Sequence, residues 1–579
     1  MSANNNKRPA RGPQAGRSSG GKDGDELVFL ALGGLGEIGM NVYLYGFGPA
    51  RSRQWLMVDL GITFPGDAEP GADVVLPDLR FIIAEKQSLI GLVLTHAHED
   101  HIGAVLDLWP SLGCPIYATP FTAGMVKSKI GEYGKSINLP ITEIPLGGRF
   151  TAGVFDVEFV TLAHSIPEPS GLAIRTPAGL VFHTGDWKLD KTPLVGDPPD
   201  EAKLKALGDE GVLAMVCDST NAMRDGRSPS ETDVAKSITK IIANAPRRVA
   251  VTTFASNVAR IRAVADAARA CGRTLVVAGR ALHRVIQVAI DTGYLPENFT
   301  YLDQQRFDDL ASDKAVVLCT GSQGEPRAAI ARIAEEQHPD ITLDKGDLAI
   351  FSSRTIPGNE KPVGRVQNAL ARRGVDIITD NEALVHVTGH PRRDELREMY
   401  AWMRPQIAVP MHGEARHLKE HAKLAREAGA GETFVVVDGE MLKLWPAPRG
   451  VIDEAPVGRL YRDGNLIVPD ADGPVRARRK LSFAGIAVVA MAMSRRGDIL
   501  GEPDVVLDGI PLVDADGDDM AEIVLDAIDG CLRSIPPKRR GDLDMVKEAV
   551  FRSVRGAINE AWGKKPIVKV LMTVVDGRI

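Results

Sequence analysis

Residues 94 to 104 read LTHAHEDHIGA and place His96, His98, Asp100 and His101 within six positions of a 579-residue chain that holds only twelve histidines. Two imidazoles two residues apart on extended backbone project to the same side, so His96 and His98 can share one cation; Asp100 and His101 lie past the bend and can face a second. A divalent ion needs further donors, and these must come from other strand ends. The candidates are His164 in TLAHSIP, Asp186 in FHTGDWK and His412 in PMHGEAR, each of which follows an apolar run. The chemistry open to such a set is hydrolysis. Two cations about 3.5–4 Å apart lower the pKa of a shared water and stabilise the oxyanion formed on attack, with no need of a side-chain nucleophile. The chain has no GxSxG elbow, which argues against a serine hydrolase.

The elements that must position these groups read as short apolar runs bounded by turn residues. LVFLAL, WLMVDLG, IGLVLTH, PIYAT, DVEFVTLAH and GLVFHTGD predict strands with the chemical residues at their ends. GGLGEIG, Gly33 to Gly39, lacks the full GxGxxG order and no long helix follows it, so it is not read as a dinucleotide loop. From about residue 225, RRVAVTTF, NVARIRAVADAARACG, RTLVVAG and ALHRVIQVAIDTG alternate strand and helix, the pattern of a parallel α/β unit. AVVLCTG and DLAIFSS add strands to it. ALVHVTGHP and QIAVPMHGE then predict strand-plus-loop segments that return to the first domain. Pro, Gly, Asp and the basic cluster RARRK mark 451–480 as a linker. Beyond it, FAGIAVVAMAM, DVVLDG and IVKVLMTVV predict strands and 518–535 and 543–562 predict helices of a small α/β module, with packing or oligomerisation as its role. The expected spans are a tail at 1–26, a first domain at 27–225 resumed at 381–450, an inserted domain at 226–380, a linker at 451–480 and a C-terminal domain at 481–579.

At 44% hydrophobic and 25% charged residues, the chain is multidomain and globular, too long for one core. A formal net charge of -7 excludes a protein basic all over, so any nucleic-acid surface must be a local groove. Cys114, Cys217, Cys271, Cys319 and Cys531 form no CxxC pair, which suits neither a disulfide framework nor a thiolate zinc site and points to a reducing cytoplasm. No apolar stretch is long enough to span a membrane, and the tail, poor in apolar residues, is expected to be disordered.

HxHxDH, then a lone His, an Asp in HTGD and a distal His together resemble the metallo-β-lactamase superfamily of hydrolases. That resemblance implies an αββα sandwich and two zinc ions per subunit, with manganese or magnesium as alternatives. His96, His98 and His164 would bind one ion, Asp100, His101 and His412 the other, and Asp186 would bridge them. Asp59, in MVDLG, would orient the loop and ligands without ligating. The superfamily core serves lactone, thioester and phosphodiester hydrolysis alike. Here the long α/β insertion between Asp186 and His412 suits a cap that walls an extended groove.

CDSTNA, HVTGHP, MHGEAR, FASNVARI, CTGSQGEP and SSRTIPGNE are similar to segments of the ribonuclease J family of β-CASP nucleases, with a likeness running from about residue 27 to the C-terminus. It implies a metallo-β-lactamase sandwich with an inserted β-CASP domain and a small C-terminal α/β domain. It also implies that Asp100, Asp186, Asp218 and His390 are catalytic, with His390 oriented by Asp218 to protonate the leaving 3′ oxygen. His386, Thr388 and His390 would contact the scissile phosphate, and Ala255, Ser256 and Asn257 would form a pocket for a 5′-monophosphate. The chain departs from the family at Thr388, usually Ser, and at Pro391 and Arg392, usually small or polar. Single-stranded RNA with a 5′-monophosphate would be the substrate, attacked 5′-to-3′ and also internally, in messenger turnover and ribosomal RNA maturation. A homodimer or homotetramer and an RNA-degradation complex are the implied assemblies. Arg260, Arg280, Arg284 and Lys188 are candidates to line the RNA groove, and aromatics, at 5%, offer no stacking platform. Two other readings are a two-zinc ester, lactone or thioester hydrolase, and an inactive RNA-binding scaffold, against which the complete ligand set speaks.

Overall fold

A computed structural model of the chain describes residues 24–131, 137–356, 358–470 and 473–575. These divide into two compact units, one running to Gly61 and resuming at Leu79–Val457, the other joining Ile62–Asp78 to Gly458–Ile579.

The first unit holds two facing sheets. One has eight strands in the order Gly450–Glu454, Glu440–Trp445, Glu26–Gly33, Val42–Gly48, Gln54–Val58, Leu89–Leu94, Ile116–Ala118 and Ile141–Glu143. The other has seven, in the order Glu432–Thr433, Ile407–Met411, Val212–Asp218, Gly179–His183, Ser170–Thr176, Phe155–Thr161 and Arg149–Ala152. Phe29, Tyr43, Tyr45 and Leu56 of the first meet Phe159, Ile174, Val181 and Val409 of the second in one buried core. On its other face the second sheet packs Phe182, Met215 and Ala408 against Leu207, Met399 and Leu424 of the helices Glu201–Glu210, Arg393–Met403 and Ala415–Glu427. Strands covered on both faces read as unbroken apolar runs, which is why VLAMVCD and IAVPM show no alternation.

Strand direction positions the chemistry. Gly179–His183, Val212–Asp218 and Ile407–Met411 are mutually parallel, so Asp186, Asp218 and His412 emerge at one edge. In the opposite sheet Gln54–Val58 and Leu89–Leu94 are parallel and end at Asp59 and Thr95-His96.

Between Val249 and Ile378 the chain builds a separate six-stranded sheet in the order Leu302–Asp303, Thr274–Ala278, Ala315–Cys319, Val249–Thr252, Leu348–Phe351 and Asp376–Ile378. All its pairings are parallel, as alternating strands and crossover helices require.

In the second unit, Val74–Pro77, Arg459–Asp463 and Leu466–Pro469 form a small antiparallel sheet. A further sheet pairs Ile486–Ser494 antiparallel with Asp504–Asp508 and parallel with Ile567–Val575. The helices Met520–Ser534 and Leu543–Trp562 cover one of its faces with Val524, Ile528, Val550 and Val554.

Three expectations change. ALVHVTGHP forms no strand, because side chains capture the carbonyls that a neighbouring strand would bond: Arg260 Nη1 and Ser352 Oγ donate to Val385 O, and His164 Nδ1 to Gly389 O. The expected linker at 451–480 carries most of the strand Gly450–Glu454, two further strands and the start of the helix Pro474–Ala484, and the early segment 62–78 pairs with it. The expected disordered tail falls on residues 1–23, outside the described residues, while Glu26 already belongs to the first strand. Among the described residues no helix is long and apolar enough to cross a membrane.

Candidate metal centre

After Leu94 the chain runs extended through His96 and turns at His98 into the one-turn helix Glu99–Ile102. His96 Nε2 and His164 Nε2 lie 3.1 and 3.0 Å from His98 Nδ1. Partners at the other ring nitrogens set the tautomers. Thr95 Oγ1 donates to Asp59 Oδ2 at 2.9 Å and therefore accepts from His96 Nδ1 at 3.0 Å, and His164 Nδ1 donates to Gly389 O at 2.6 Å. Both Nε2 atoms thus carry lone pairs, and a proton on His98 could satisfy only one of them. These spacings approach the edge of about 3.3 Å that a tetrahedral ion imposes on nitrogens about 2.0–2.1 Å away.

A second group faces the first across Asp186. Its Oδ2 is 3.2 Å from His101 Nε2 and 3.3 Å from His412 Nε2, and Asp100 Oδ2 lies 3.6 and 3.8 Å from the same two nitrogens. Asp186 Oδ2 is also 3.8 and 3.9 Å from His96 Nε2 and His164 Nε2, so one carboxylate stands between both groups. Asp186 Oδ1 is buried with no hydrogen-bond partner among the described residues. Converging lone pairs and an unsatisfied buried carboxylate oxygen are the demand that divalent cations meet, so the residues present fit a two-ion centre.

Electrostatics agree. Burial pushes His96, His98 and His164 down, His98 to about 4, which leaves three neutral imidazoles fit to ligate. Burial opposes charge on Asp186 as well, but His412, His101 and His390 outweigh it and hold the carboxyl well below its usual range. At His101 burial is outweighed by Asp186, Asp100 and Asp59, which raise the ring well above the usual histidine value.

The supporting groups are buried and specific. Asp59 accepts from Thr95 N at 2.8 Å and from His101 Nδ1 at 2.7 Å, which turns His101 Nε2 toward Asp186 and Asp100, with Asn41 Nδ2 3.0 Å from it. Asp59 and His412 adopt φ of +62° and +50°, left-handed backbone that aims each side chain as its strand ends. A Cβ on Gly61 would fall 1.7 Å from Asp100 O, so only glycine lets the helix carrying Asp100 and His101 come this close. Asn41, which the sequence did not single out, accepts from His412 Nδ1 at 2.9 Å and Tyr43 Oη at 2.7 Å, and donates to Asp100 O at 3.0 Å. Tyr43 is two positions away, but the two partners that belong to the centre, Asp100 and His412, are 59 and 371 positions away.

Beside the ligands, His390 Nδ1 donates to Asp218 Oδ2 at 2.8 Å and lies 3.8 Å from Asp186 Oδ2. Thr220 N and Oγ1 fix the other Asp218 oxygen at 2.8 and 2.7 Å. Burial pushes His390 down, but Asp218 and then Asp186 outweigh it and hold the ring up at about 9, a protonated imidazole at neutral pH. Thr388 Oγ1 accepts from Asn221 Nδ2 at 2.9 Å and from His390 N at 3.2 Å, so its hydroxyl pins the His390 loop. Pro391 and Arg392 lead straight into the helix Arg393–Met403, and Arg392 N donates to Glu395 Oε2 at 3.0 Å. Glu395, also unforeseen, is fully buried and accepts from Leu189 N and Ser228 N as well.

His386 lies outside the ligand clusters. Burial and the cations Arg260, Arg354 and Lys188 hold its ring well below the usual value, and its buried Nδ1 has no hydrogen-bond partner among the described residues. Ala255 and Ser256 are half-buried, and Asn257 Oδ1 caps the helix Val258–Ala270 by accepting from Arg260 N at 2.8 Å. Two residues expected to line a groove do not. Arg260 is fully buried on Glu231 at 2.8 Å, and Lys188 is buried 3.2 Å from Asp190. Arg280 is exposed and Arg284 half-buried.

Comparison with known proteins follows this architecture along the chain. Residues 68–202 match the beta-lactamase superfamily domain, 246–370 the ribonuclease J beta-CASP domain, 374–436 the Zn-dependent metallo-hydrolase RNA specificity domain and 473–575 the ribonuclease J C-terminal domain. The chain is 52% identical over 551 residues to ribonuclease J of Sinorhizobium meliloti, covering 95% of this chain and 98% of that protein. It is 33% identical over 580 residues to ribonuclease J of Thermus thermophilus, covering 98% and 97%. A crystal structure of a protein of unknown function from Enterococcus faecalis V583 shares the fold with a TM-score of 0.50 at 16% identity, covering 72% of this chain and all of that one. With matches to four successive domains and near-complete coverage of its relatives, the chain belongs to the ribonuclease J family.

Proposed function

We propose that this metal-dependent ribonuclease hydrolyses the backbone of single-stranded RNA at a two-zinc centre, proceeding 5′-to-3′ from a 5′-monophosphate end and also cutting internally. The convergence of His96, His98, His164, Asp100, His101, His412 and Asp186 beside the His390–Asp218 pair carries this reading. His96, His98 and His164 would hold one ion and Asp100, His101 and His412 the other, with Asp186 serving both. When bound, two such ions supply Lewis acidity that activates water and offsets the charge developing at phosphorus. His390, held protonated by Asp218, gives its proton to the departing 3′ oxygen, a poor leaving group as an alkoxide. His386 donates a hydrogen bond to the scissile phosphate, and the Thr388 hydroxyl fixes the His390 loop beside it. Ala255, Ser256 and Asn257, at the start of the helix Val258–Ala270, receive the terminal 5′-phosphate. A homodimer or homotetramer built partly through the C-terminal sheet, whose Val506 and Leu571 are exposed, belongs to the same proposal. So do membership of an RNA-degradation complex and cytoplasmic work in messenger turnover and ribosomal RNA maturation.

The test is a product ladder from 3′-end-labelled RNA bearing a 5′-monophosphate, triphosphate or hydroxyl, with and without chelator. Fastest loss of the monophosphorylated strand by stepwise shortening, abolished by chelator, is expected. Turnover of a lactone or thioester but of no RNA would overturn the proposal.

A further inference from the structure

Three segments are bonded together around His386 and His390. Asn221 Nδ2 donates to Thr388 Oγ1 at 2.9 Å and Arg393 N to Arg224 O at 2.9 Å, joining 221–224 to 388–393. Ser352 Oγ donates to Val385 O at 2.7 Å, joining 352–356 to 384–386. Each segment ends in unbalanced charge. Among the described residues, Arg227 is paired with Glu398 and Arg393 with Asp225 and Glu427, yet Arg224 and Arg392 have no carboxylate within ion-pair distance. Among the described residues Arg354 Nε has one ion-pair partner, Asp380 at 3.6 Å, and the buried Arg392 Nε has no hydrogen-bond partner. Burial and the guanidiniums of Arg354 and Arg392 hold Arg224 below the ordinary arginine value, with Asp380 the one group opposing them. Arg354 and Arg224 share the one carboxylate of Asp380 and Arg392 adds a further cation beside Arg224, which leaves a local positive potential on an acidic protein.

Large apolar side chains stand among these cations. Met223 is 49% exposed, Ile356 48% and Leu384 39%, and each lies within two residues of Arg224, Arg354 or His386. Single-stranded nucleic acid presents the complementary alternation of one phosphate per nucleotide and a base face between phosphates. We propose that Arg224, Arg354 and Arg392 together with Met223, Ile356 and Leu384 form the track on which single-stranded RNA lies beside the scissile position, guanidiniums on phosphates and aliphatic side chains on base faces. This rests on the ribonuclease reading above. Aliphatic packing holds bases without selecting among them, in a chain with few aromatics.

The test uses the metal-loaded full chain and single-stranded RNA with a 5′-monophosphate. For Arg224→Ala/Arg354→Ala, KM should rise about tenfold or more with kcat within about twofold of wild type, and the slope of log(1/KM) on log[salt] should flatten by about 0.7 for each phosphate no longer neutralised. Arg224→Lys/Arg354→Lys should recover most of the slope. Ile356→Ser/Leu384→Ser should raise KM for base-bearing RNA but not for an oligonucleotide abasic at the nucleotides beside the scissile bond. A folded double-alanine variant, judged by its unchanged melting temperature, with wild-type KM and salt slope would overturn the track. Failure of the wild type to hydrolyse RNA would instead overturn the ribonuclease reading.

Discussion

Asn41→Ala removes a group that touches only one half of the proposed centre. Its Oδ1 accepts from His412 Nδ1 and Tyr43 Oη, and its Nδ2 donates to Asp100 O, while no bond links its side chain to His96, His98 or His164. The substitution leaves the buried His412 Nδ1 donor without an acceptor while Tyr43 Oη keeps Gly34 O at 3.5 Å, so the metal-free protein should lose about 1–3 kcal/mol less whatever an entering water restores. Freed of its acceptor, the His412 ring can rotate or change tautomer. Loss of such a supporting bond typically costs about 10–100-fold in metal affinity, or about 1.4–2.7 kcal/mol. The loss should fall on the ion held by Asp100, His101 and His412 alone. Competitive titration against a chromophoric chelator, reading two successive dissociation constants, should show one constant weakened and the other within about threefold of wild type. Asn41→Asp, which keeps the acceptors, should retain more affinity than Asn41→Ala. Equal weakening of both constants, or wild-type values for both, would refute the assignment of Asn41 to one site.

Replacing His390 by Asn should lower kcat about 10²–10⁴-fold with metal content unchanged, measured by single-turnover cleavage beside elemental analysis. Because the acid form of His390 is the working one, activity should fall as pH rises through its folded value. In Asp218→Asn, which removes the main charge raising that value, the descending limb of the pH–kcat profile should move to lower pH. Gly389→Ala would put a Cβ 2.4 Å from His164 Cε1 and Nδ1, where ordinary contact begins at 3.4 Å, so His164 must move about 1 Å and one equivalent of metal should be lost on gel filtration. Arg260→Met leaves Glu231 charged and fully buried and should destabilise the protein by about 3–5 kcal/mol in denaturant titration, with Glu231→Gln on the same background recovering part of it.

What the sequence disclosed and what it hid differ in range. HxHxDH, HTGD and MHGE are legible because each ligand sits at the end of an apolar run, and runs buried on both faces of a sheet stand out from their flanks. Asn41 is not legible, since its role is defined by His412, which the fold brings to it across 371 positions. The apolar alternation of ALVHVTGHP imitates a strand; whether a carbonyl meets a neighbouring strand or the side chains of Arg260 and Ser352 is decided by tertiary context. Arg260 and Lys188 look like groove or surface charges in the sequence because their buried partners, Glu231 and Asp190, cannot be assigned to them from the residues alone. The pairing of Val74–Pro77 with Arg459–Asp463 is hidden for the same reason.

The most direct test of a two-ion centre is anomalous scattering across the zinc edge from crystals of the zinc-loaded protein. Two peaks about 3.5–4 Å apart are expected, one bound by His96, His98 and His164, the other by Asp100, His101 and His412, and both reached by Asp186. A single peak, or none among these side chains, in protein that still cleaves RNA would contradict the account.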